Sequence, residues 1–461
     1  MLDLGAIVKA YDIRGIVPDQ WDVAEARALG GAFASVMALD TTGAPDARRA
    51  IVLGRDMRPS SQWLGDAFAE GVMAQGWDVV DIGLASTDGL YFASGSMNLP
   101  GAMFTASHNP QQYNGIKLCR AGAAPVGQDT GLAQIRDLAS AGVSDADAPA
   151  GSIRAVDLLP EYARYLLDLV PLEGIRPLTV VVDAGSGMAG LTAPAVLEVG
   201  GLTVVPMYFE LDGTFPHHEA NPIDAKNLVD LQKKVVEVGA DLGLAFDGDA
   251  DRCFVVDETG AAVSPSALTA LIADRELARD PGSTIIHNLI TSWTVPEVVK
   301  ERGGIPVRTR VGHSFIKAEM ARTGAVFGGE HSGHFYFRDF WRADSGMLAA
   351  LHVLSSLGFA PAGTTLSSLL TDYNRYAASG EINSVVDDQA TAIARVRAAY
   401  VDTDATIDEL DGLTVAGADW WFNLRPSNTE PLLRLNAEAR SDDVMADLRD
   451  RVLAMVRKGD Q

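Results

Sequence analysis

Cysteine, basic charge and long apolar runs are all scarce in this chain. Only two of its 461 residues are cysteines, Cys119 and Cys253, and neither belongs to a CxxC motif. No apolar run reaches the roughly 18 residues of a membrane span, and the N-terminus lacks the basic start and apolar stretch of a signal peptide. We therefore expect two reduced, buried thiols and a cytoplasmic protein that binds no membrane.

The shortage of basic residues also bears on the kind of ligand. The formal net charge is −24 at pH 7, which would repel nucleic-acid phosphates, so we expect no nucleic-acid partner. The acidic residues are dispersed rather than gathered in a tail, as on a solubilising surface. An anionic ligand would have to be held by a local basic cluster or a metal ion.

The remaining composition is that of a large globular protein. A hydrophobic content of 47% over 461 residues leaves room for roughly three or four domains. Short apolar strands such as residues 51–53 and 79–82 alternate with helical spacing, as over residues 63–75. This alternation predicts parallel α/β layers.

One pattern occurs three times along the chain. In each copy an apolar strand ends in a polar loop and another strand follows; the loops are residues 105–110, 247–252 and 328–334. We predict three similar α/β domains with mixed or parallel sheets, and a smaller C-terminal α+β domain, around a central cleft. The predicted domains span residues 1–154, 155–260, 261–370 and 371–461.

The first loop carries a candidate nucleophile, Ser107, directly after a buried strand and beside His108. A serine hydroxyl needs activation by a base, or by a metal ion on its phosphorylated form. A turn in which these polar groups bond only the backbone would have the same sequence. Acyl transfer is disfavoured because no G-x-S-x-G elbow surrounds the serine.

The second loop places Asp247, Asp249 and Asp251 after an apolar strand. Three neighbouring carboxylates repel one another unless a cation lies between them, and their hard oxygens suit Mg²⁺. An EF-hand would match Glu258 at its twelfth position, but Arg252 stands where that loop needs glycine. A solvated acidic turn is the other alternative. Arg252 could bind a phosphate or only balance the aspartates.

The third loop contains Glu330, Ser332 and His334 among glycines, which suits recognition of sugar hydroxyls, although a glycine-rich turn would look the same. His313, at the start of an expected helix, is a further candidate for the same site.

A fourth loop joins Arg425, Ser427, Asn428 and Thr429 between two prolines. Its side-chain and backbone donors predict an anion-binding nest, with a polar hairpin turn as the alternative.

Two further cations accompany these loops. Arg14 lies in a tight turn after Tyr11, and Lys117 begins the strand that follows the Ser107 loop. Both are candidates to neutralise a phosphate on Ser107, and Lys117 could carry a proton; either could also be a surface charge.

Taken in this order, the loops resemble those of the α-D-phosphohexomutase superfamily, and most closely its bacterial phosphomannomutase/phosphoglucomutase group. The resemblance runs from the Tyr-Asp-Ile-Arg-Gly motif at 11–15 to the Arg-Pro-Ser-Asn-Thr-Glu-Pro motif at 425–431. It implies three similar α/β domains and a smaller α+β domain around one cleft.

The resemblance also implies roles for individual residues. The serine matching Ser107 is phosphorylated at rest, and its phosphate helps the aspartates matching Asp247, Asp249 and Asp251 to bind one Mg²⁺. Residues matching Glu330 and Ser332 recognise the sugar, and the loop at 425–429 holds the substrate's phosphate. One departure is that the segment 287–292 has no basic residue where some members carry one.

The resemblance thus predicts reversible phosphoryl transfer between O1 and O6 of a hexose. Mannose phosphate is the first candidate substrate and glucose phosphate the second. A hexose 1,6-bisphosphate would be the intermediate and activator, hexose phosphates the partners, and the enzyme a monomer or homodimer. The alternatives are a phosphoglucosamine mutase, a Mg²⁺-dependent phosphatase with Asp247 as nucleophile, and a binding protein without catalysis.

Overall fold

A computed structural model describes residues 3–9, 11–40, 49–147, 149–427 and 432–458, with the side chain of His313 outside the described set. These residues form two compact units, the first comprising 1–265 with 332–369 and the second 266–331 with 370–461. In the described ranges, every helix is too short or too polar to cross a membrane.

The first unit begins with a mixed sheet in the order β1-β5-β4-β2-β3-β7, with β6 paired to β5. Strands β2, β3, β4 and β7 are parallel, whereas β5 runs antiparallel to β4 and β1. The elements in chain order are β1 (Ile13–Ile16), α1 (Val23–Asp40), β2 (Ala50–Arg55), α2 (Pro59–Met73), β3 (Asp78–Leu84), α3 (Thr87–Met97), β4 (Gly101–Phe104), β5 (Tyr113–Arg120), β6 (Ala124–Pro125), α4 (Leu132–Ala141) and β7 (Ile153–Ala155).

Helices α1 and α2 cross closely over this sheet. A Cβ atom added at Gly30 would lie 2.1 Å from the carbonyl oxygen of Phe68, so glycine is required where the backbones approach. The rings of Phe33, Phe68 and Phe104 form the centre of the core. Helix α2 begins at Pro59, four residues before the start expected from periodicity, because proline is well suited to the first helical turn.

The second sheet of the first unit has the order β12-β11-β10-β8-β9. Strand β8 is parallel to β9 and β10, and β11 runs antiparallel to β10 and β12. Its elements are α5 (Leu159–Leu169), β8 (Leu178–Asp183), α6 (Ala189–Leu197), β9 (Leu202–Met207), α7 (Val229–Val238), β10 (Leu242–Phe246), β11 (Cys253–Asp257) and β12 (Ala262–Val263).

The third α/β segment follows the same order of elements. These are α8 (Pro265–Arg279), β13 (Thr284–Asn288), α9 (Thr294–Glu301), β14 (Ile305–Thr309), α10 (His313–Thr323), β15 (Phe327–Gly329), β16 (Phe335–Phe337), β17 (Ala343–Asp344), α11 (Gly346–Gly358) and α12 (Leu366–Leu369). In the second unit β13 is parallel to β14 and β15. In the first unit β16 and β17 form an antiparallel hairpin.

The C-terminal segment is an antiparallel sheet with two helices. Its elements are β18 (Ala377–Val385), α13 (Gln389–Ala398), β19 (Thr406–Asp408), β20 (Leu413–Ala416), β21 (Trp420–Pro426), β22 (Leu432–Ala439) and α14 (Asp442–Val456). The strand order is β18-β22-β21-β20-β19. Val396, Phe422, Leu435 and Leu448 belong to one buried core, because alternate strand positions and one face of each helix are apolar.

The repeat expected from the sequence is present in the strand pairing. The first strand of each copy (β2, β8 or β13) lies between two parallel neighbours, and the polar loop follows one of those neighbours (β4, β10 or β15). The predicted fold class, three α/β domains and a smaller α+β domain, is confirmed. Cys119 and Cys253 are buried and form no disulfide. The predicted domain boundaries remain a prediction.

A buried carboxylate ties distant segments of the first unit together. Asp88 Oδ2 accepts hydrogen bonds from Tyr162 (2.8 Å) and Ser345 (2.6 Å), and Oδ1 accepts a short one from Ser86. Burial raises the pKa of Asp88 to about 6. Because each donor comes from a different stretch of chain, this network joins α3, α5 and the start of α11.

Candidate active site

The loop after β4 presents Ser107 in a strained conformation. Its φ angle is +49°, in the left-handed region, and its N–H donates to Thr105 Oγ1 (2.9 Å). The Ser107 hydroxyl donates to Asp247 Oδ2 at 2.7 Å, and His108 Nδ1 lies 3.2 Å from the same Oγ. A buried serine held in an unfavourable backbone conformation is typical of a functional position.

The loop after β10 brings three buried carboxylates to the same place. Asp247, Asp249 and Asp251 are all 1% exposed or less, and ligand oxygens from all three lie within 4.8 Å of one another. Between them, Gly248 contacts the serine loop so closely that an added Cβ would lie 2.4 Å from the carbonyl oxygen of Ser107. The two loops therefore form one site.

Cationic and hydroxyl groups surround these carboxylates. Lys117 Nζ donates to Asp249 Oδ2 (2.7 Å) and also to Asp251. Arg252 Nε donates to Asp247 Oδ2 at 2.8 Å. Lys117 and Arg252 therefore contact the same cluster of aspartates that accepts a hydrogen bond from Ser107; their predicted roles stay predictions.

The charged groups of this cluster shift one another's pKa values. Burial opposes ionisation of Asp249, but the Lys117 ammonium, with the Thr87 hydrogen bond and the Arg252 cation, outweighs it and lowers the pKa of Asp249. Burial, with the neighbouring Asp249 carboxylate, raises the pKa of Asp251. The same carboxylates outweigh the burial of Lys117 and raise its pKa. Asp251 is therefore the carboxylate whose ionised form these surroundings oppose.

The cluster fits a divalent cation. Oδ1 of Asp249 and Oδ1 of Asp251 are buried, and neither accepts a hydrogen bond within the described part of the chain. Unsatisfied buried carboxylate oxygens are costly, and oxygen ligands of this kind are those that hard divalent ions prefer. This buried acidic triad can hold a metal ion. An EF-hand is excluded, because strand β11 follows the loop and Glu258 instead accepts bonds from Ser367.

His334 lies beside this acidic cluster. Its Nδ1 is 2.9 Å from Asp344 Oδ2 and 3.7 Å from Asp251 Oδ1. Burial opposes its protonation, but the Asp251 and Asp344 carboxylates together outweigh burial and raise the pKa of His334. By contrast, burial and the nearby Arg252 cation hold the pKa of His108 well below its usual range. Of these two histidines, His108 is the one held in the neutral form.

The N-terminal motif reaches the far end of the serine loop. Arg14 Nη1 donates to Asn109 Oδ1 at 2.5 Å and Nη2 to Asp12 Oδ2 at 2.6 Å. Arg14 is therefore a loop contact as well as a candidate phosphate ligand. Tyr11 is half-buried and lies two residues before β1, the strand that contains Arg14.

Three residues of this site were missed by sequence reasoning. Thr87 donates through Oγ1 to Asp249 Oδ2 (2.6 Å) and through its N–H to the Asp249 carbonyl (2.9 Å). Arg58 donates through Nη2 to the Ser107 carbonyl, and Asp56 accepts a hydrogen bond from Arg58 Nε. Their only sequence signal is position: Asp56 follows β2 and Thr87 follows β3, at the carboxyl ends of parallel strands, where ligands gather in α/β sheets.

In the second unit, Glu330 follows β15 and is 2% exposed. Its Oε2 accepts a hydrogen bond from Asn288 Nδ2 at 3.3 Å, so the last residue of β13 contacts the loop after β15. Ser332, two residues later, belongs to the first unit. Helix α10 begins at His313 as expected, but the side chain of His313 is outside the described residues. The predicted sugar-binding role of these residues stays a prediction.

The C-terminal loop is partly described. Arg425 Nη2 donates to Glu381 Oε2 at 2.8 Å, and Arg434 Nη1 lies 3.7 Å from Glu381 Oε1. The Ser427 N–H donates to the Leu432 carbonyl at 2.8 Å. Two guanidiniums sharing one carboxylate leave net positive charge there, which suits an anion. Arg434 was missed in the sequence, and Asn428 and Thr429 lie outside the described residues.

Comparison with known families matches almost the whole chain. Four domain models described as phosphoglucomutase/phosphomannomutase, alpha/beta/alpha domains I, II and III and the C-terminal domain, match residues 5–144, 160–260, 264–376 and 381–455.

Individual relatives agree with these matches. A protein of Xanthomonas campestris named for phosphohexose mutases is 40% identical over 453 residues, covering 98% of this chain and 99% of its own length. A phosphomannomutase of Salmonella montevideo is 41% identical over 450 residues, covering 96% of each chain. The crystal structure of a phosphoglucomutase/phosphomannomutase family protein from Burkholderia thailandensis superposes with a TM-score of 0.87 at 34% identity, covering 100% of this chain and 99% of that one.

Proposed function

The chain belongs to the phosphoglucomutase/phosphomannomutase family and is a phosphohexose mutase, and we propose that it moves a phosphoryl group between O1 and O6 of mannose phosphate. Glucose phosphate is the second substrate we infer. The observation that supports this most strongly is the 2.7 Å hydrogen bond from the Ser107 hydroxyl to Asp247 inside a buried acidic cluster. It supports the proposal because a hydroxyl that would accept a phosphoryl group lies beside carboxylates that would bind a divalent ion.

Ser107 is the proposed phosphoryl carrier. In the first step, the O–P bond of phospho-Ser107 breaks while the free hydroxyl of the substrate forms a new O–P bond, giving a hexose 1,6-bisphosphate. The proton that this hydroxyl loses is balanced by one taken up at Ser107 Oγ, which leaves as the free serine hydroxyl. The bisphosphate turns around, and its other phosphoryl group returns to Ser107. A trace of the same bisphosphate phosphorylates unmodified Ser107, which accounts for the proposed activator.

Cationic side chains near Ser107 are proposed to neutralise the charge of the transferred phosphoryl group. Phosphoryl transfer depends mainly on positioning and on neutralising the charge of the transferred group. Lys117 and Arg252 already contact the carboxylates beside Ser107, and Arg14 contacts the same loop. We assign charge neutralisation to these three. His108, kept neutral by burial and the nearby Arg252 cation, has Nδ1 3.2 Å from Ser107 Oγ and would share a hydrogen bond with it.

The metal ion is proposed to be one Mg²⁺ per chain. Asp247, Asp249 and Asp251, with an oxygen on phosphorylated Ser107, would hold it; the buried carboxylate oxygens of Asp249 and Asp251 that accept no bond in the described residues support this. Bound there, Mg²⁺ would withdraw electron density from the phosphoryl oxygens.

The other candidates are assigned to binding of the sugar phosphate. We propose that Glu330, Ser332 and His334, with His313 and Tyr11, recognise the sugar. The loop of Arg425, Ser427, Asn428 and Thr429 would hold the phosphate that is not being transferred, since Arg425 and Arg434 lie together around Glu381. The excess of cations at this loop would also explain how a chain with a net charge of −24 binds dianionic sugars.

The chain is further proposed to act in the cytoplasm as a monomer or homodimer. Size-exclusion chromatography with light scattering would distinguish these two from any larger assembly.

The experiment that tests the function is ³¹P NMR of the protein with Mg²⁺, a trace of hexose 1,6-bisphosphate and mannose 1-phosphate. Appearance of mannose 6-phosphate without inorganic phosphate is expected. Inorganic phosphate would indicate a phosphatase, and conversion only of glucosamine phosphate would indicate the alternative sugar. Ser107→Ala should abolish nearly all turnover while the circular dichroism spectrum is unchanged; an active Ser107→Ala enzyme would contradict the covalent role.

A further inference from the structure

The side chain of Arg58 holds the backbone of the loop that carries Ser107. Arg58 precedes helix α2 and is 2% exposed. Four carbonyl oxygens accept hydrogen bonds from its two terminal nitrogens, those of Ser107 (2.9 Å), Asn109 (2.6 Å), Pro110 (2.9 Å) and Tyr113 (3.0 Å). One side chain therefore bridges the connection between β4 and β5 from Ser107 to Tyr113.

The guanidinium group is fully used. Its fifth N–H, on Nε, donates to Asp56 Oδ2 at 3.2 Å, so five donors meet five acceptors. A lysine ammonium has three donors at a single point and cannot bridge four carbonyls spread over seven residues. The contact is specific for arginine.

The position of this guanidinium is itself fixed. Asp56 also accepts from the Arg58 N–H (3.0 Å) and from Ser61 Oγ (2.6 Å). On the other side, the centre of the Phe215 ring lies 5.0 Å from the guanidinium carbon of Arg58. The backbone also packs closely here, since a Cβ added at Gly213 would lie 2.6 Å from Arg58 Cα. Arg58 is a rigid support rather than a flexible surface cation.

The loop needs such a support at Ser107. A φ of +49° is unfavourable for serine, and residues persist in this region only where the surroundings hold them. The Ser107 carbonyl that accepts from Arg58 Nη2 is the same one that Gly248 approaches. The hydroxyl of the same residue donates to Asp247 Oδ2 at 2.7 Å.

We propose that Arg58 is a positioning residue for phosphoryl transfer, which holds the strained serine loop so that Ser107 Oγ faces the acidic cluster. The inference rests on the proposed role of Ser107 as phosphoryl carrier. Arg58 acts through the loop backbone and is not assigned a contact with substrate or metal.

The test compares Arg58→Lys with Arg55→Lys. Arg55 ends β2 only three residues earlier and pairs with Asp81 at 3.5 Å, which makes it a matched control. Because a misplacement of about 1 Å can lower a rate about 100-fold, Arg58→Lys should lower kcat about that much. KM should stay within about twofold, since the proposed sugar-phosphate ligands are elsewhere. Phosphorylation of Ser107 by hexose 1,6-bisphosphate should slow by the same factor, and Arg55→Lys should match the wild type.

Chemical rescue separates positioning from a merely structural role. Guanidinium ions should restore part of the kcat of Arg58→Ala and none of the activity of Ser107→Ala. If kcat of Arg58→Lys stays within threefold of the wild type, or if only KM changes, the inference is overturned. Should both Arg58 variants fail to fold, Asp56→Asn decides, because it keeps Arg58 and loosens its anchor: a lowered kcat supports the inference and an unchanged kcat overturns it.

The outcomes also separate this inference from the proposed function. An active Ser107→Ala enzyme would remove the proposed role of Ser107, and the inference with it. An inactive Ser107→Ala together with a fully active Arg58→Lys would overturn the inference alone.

Discussion

A single added methyl group at Gly248 should disable the site without changing any charge. Gly248 lies between Asp247 and Asp249, and a Cβ built on it would be 2.4 Å from the carbonyl oxygen of Ser107, where ordinary contacts begin at 3.4 Å. The neighbour is backbone rather than a flexible side chain, so it cannot rotate away. The acidic loop and the serine loop must separate by about 1 Å in Gly248→Ala, and a misplacement of that size costs about 100-fold in rate.

The folding cost of this change should be modest by comparison. Overpacking of a tight site costs about 1–3 kcal/mol, and Gly248 has no positive φ angle that would strain alanine further. We therefore expect a folded Gly248→Ala protein with a lowered Tm, a kcat reduced about 100-fold, and slow phosphorylation by hexose 1,6-bisphosphate. The assay is the coupled measurement of mutase turnover, with phosphoserine quantified by intact mass.

Gly200→Ala is the matched control. A Cβ at Gly200 would meet no atom within 4 Å, and its φ is not positive, so turnover and Tm should equal those of the wild type. If Gly248→Ala retains kcat within threefold of Gly200→Ala, the close approach of the two loops is not needed for catalysis and the reasoning is refuted.

The remaining predictions concern charge. Asp249→Asn should lower kcat by at least about 100-fold and abolish the response to added Mg²⁺; an unchanged Mg²⁺ titration would refute the metal assignment. Arg425→Ala should raise KM for the sugar phosphate by about 10-fold or more with a smaller change in kcat, and an unaltered KM would count against the anion-binding loop. Asp88 has its pKa raised by burial to about 6 in the folded protein, so its contribution to stability is present below about pH 4 and is lost as pH rises past 6. The Tm of Asp88→Asn relative to the wild type should therefore increase between pH 4 and 7, by an amount worth at most about 3 kcal/mol. A constant difference would show that Asp88 does not titrate in this range.

Much of the fold could be predicted because its signals are local. Apolar runs such as those before Thr105 and Asp247 are short, buried and bounded by polar loops, and they became β4 and β10. The threefold recurrence of strand and loop then gave the domain pattern. Element ends were less well predicted, since β18 begins at Ala377 rather than near Asn383; its exposed early residues lack an apolar alternation.

The types of reactive group in the site could also be predicted from the sequence. Three aspartates after a buried strand indicate a cation, and a serine after another indicates a reactive hydroxyl, because strand ends gather at one edge of a parallel sheet. The sequence did not distinguish the catalytic reading of either loop from an ordinary polar turn. Only their contact, between Ser107 Oγ and Asp247 Oδ2, supports one reading over the other.

The supporting residues were decided by tertiary structure alone. Arg58 is separated from Ser107 by 49 positions and Thr87 from Asp249 by 162, and no spacing rule connects them. Gly248 looks like any loop glycine until the carbonyl of Ser107 is placed against it. The sequence by itself determined which residue types could react and where strands would end, since these depend on neighbours along the chain. Which side chain holds which loop depends on distances across the fold, and hydrogen bonds form only when those distances close to about 3 Å.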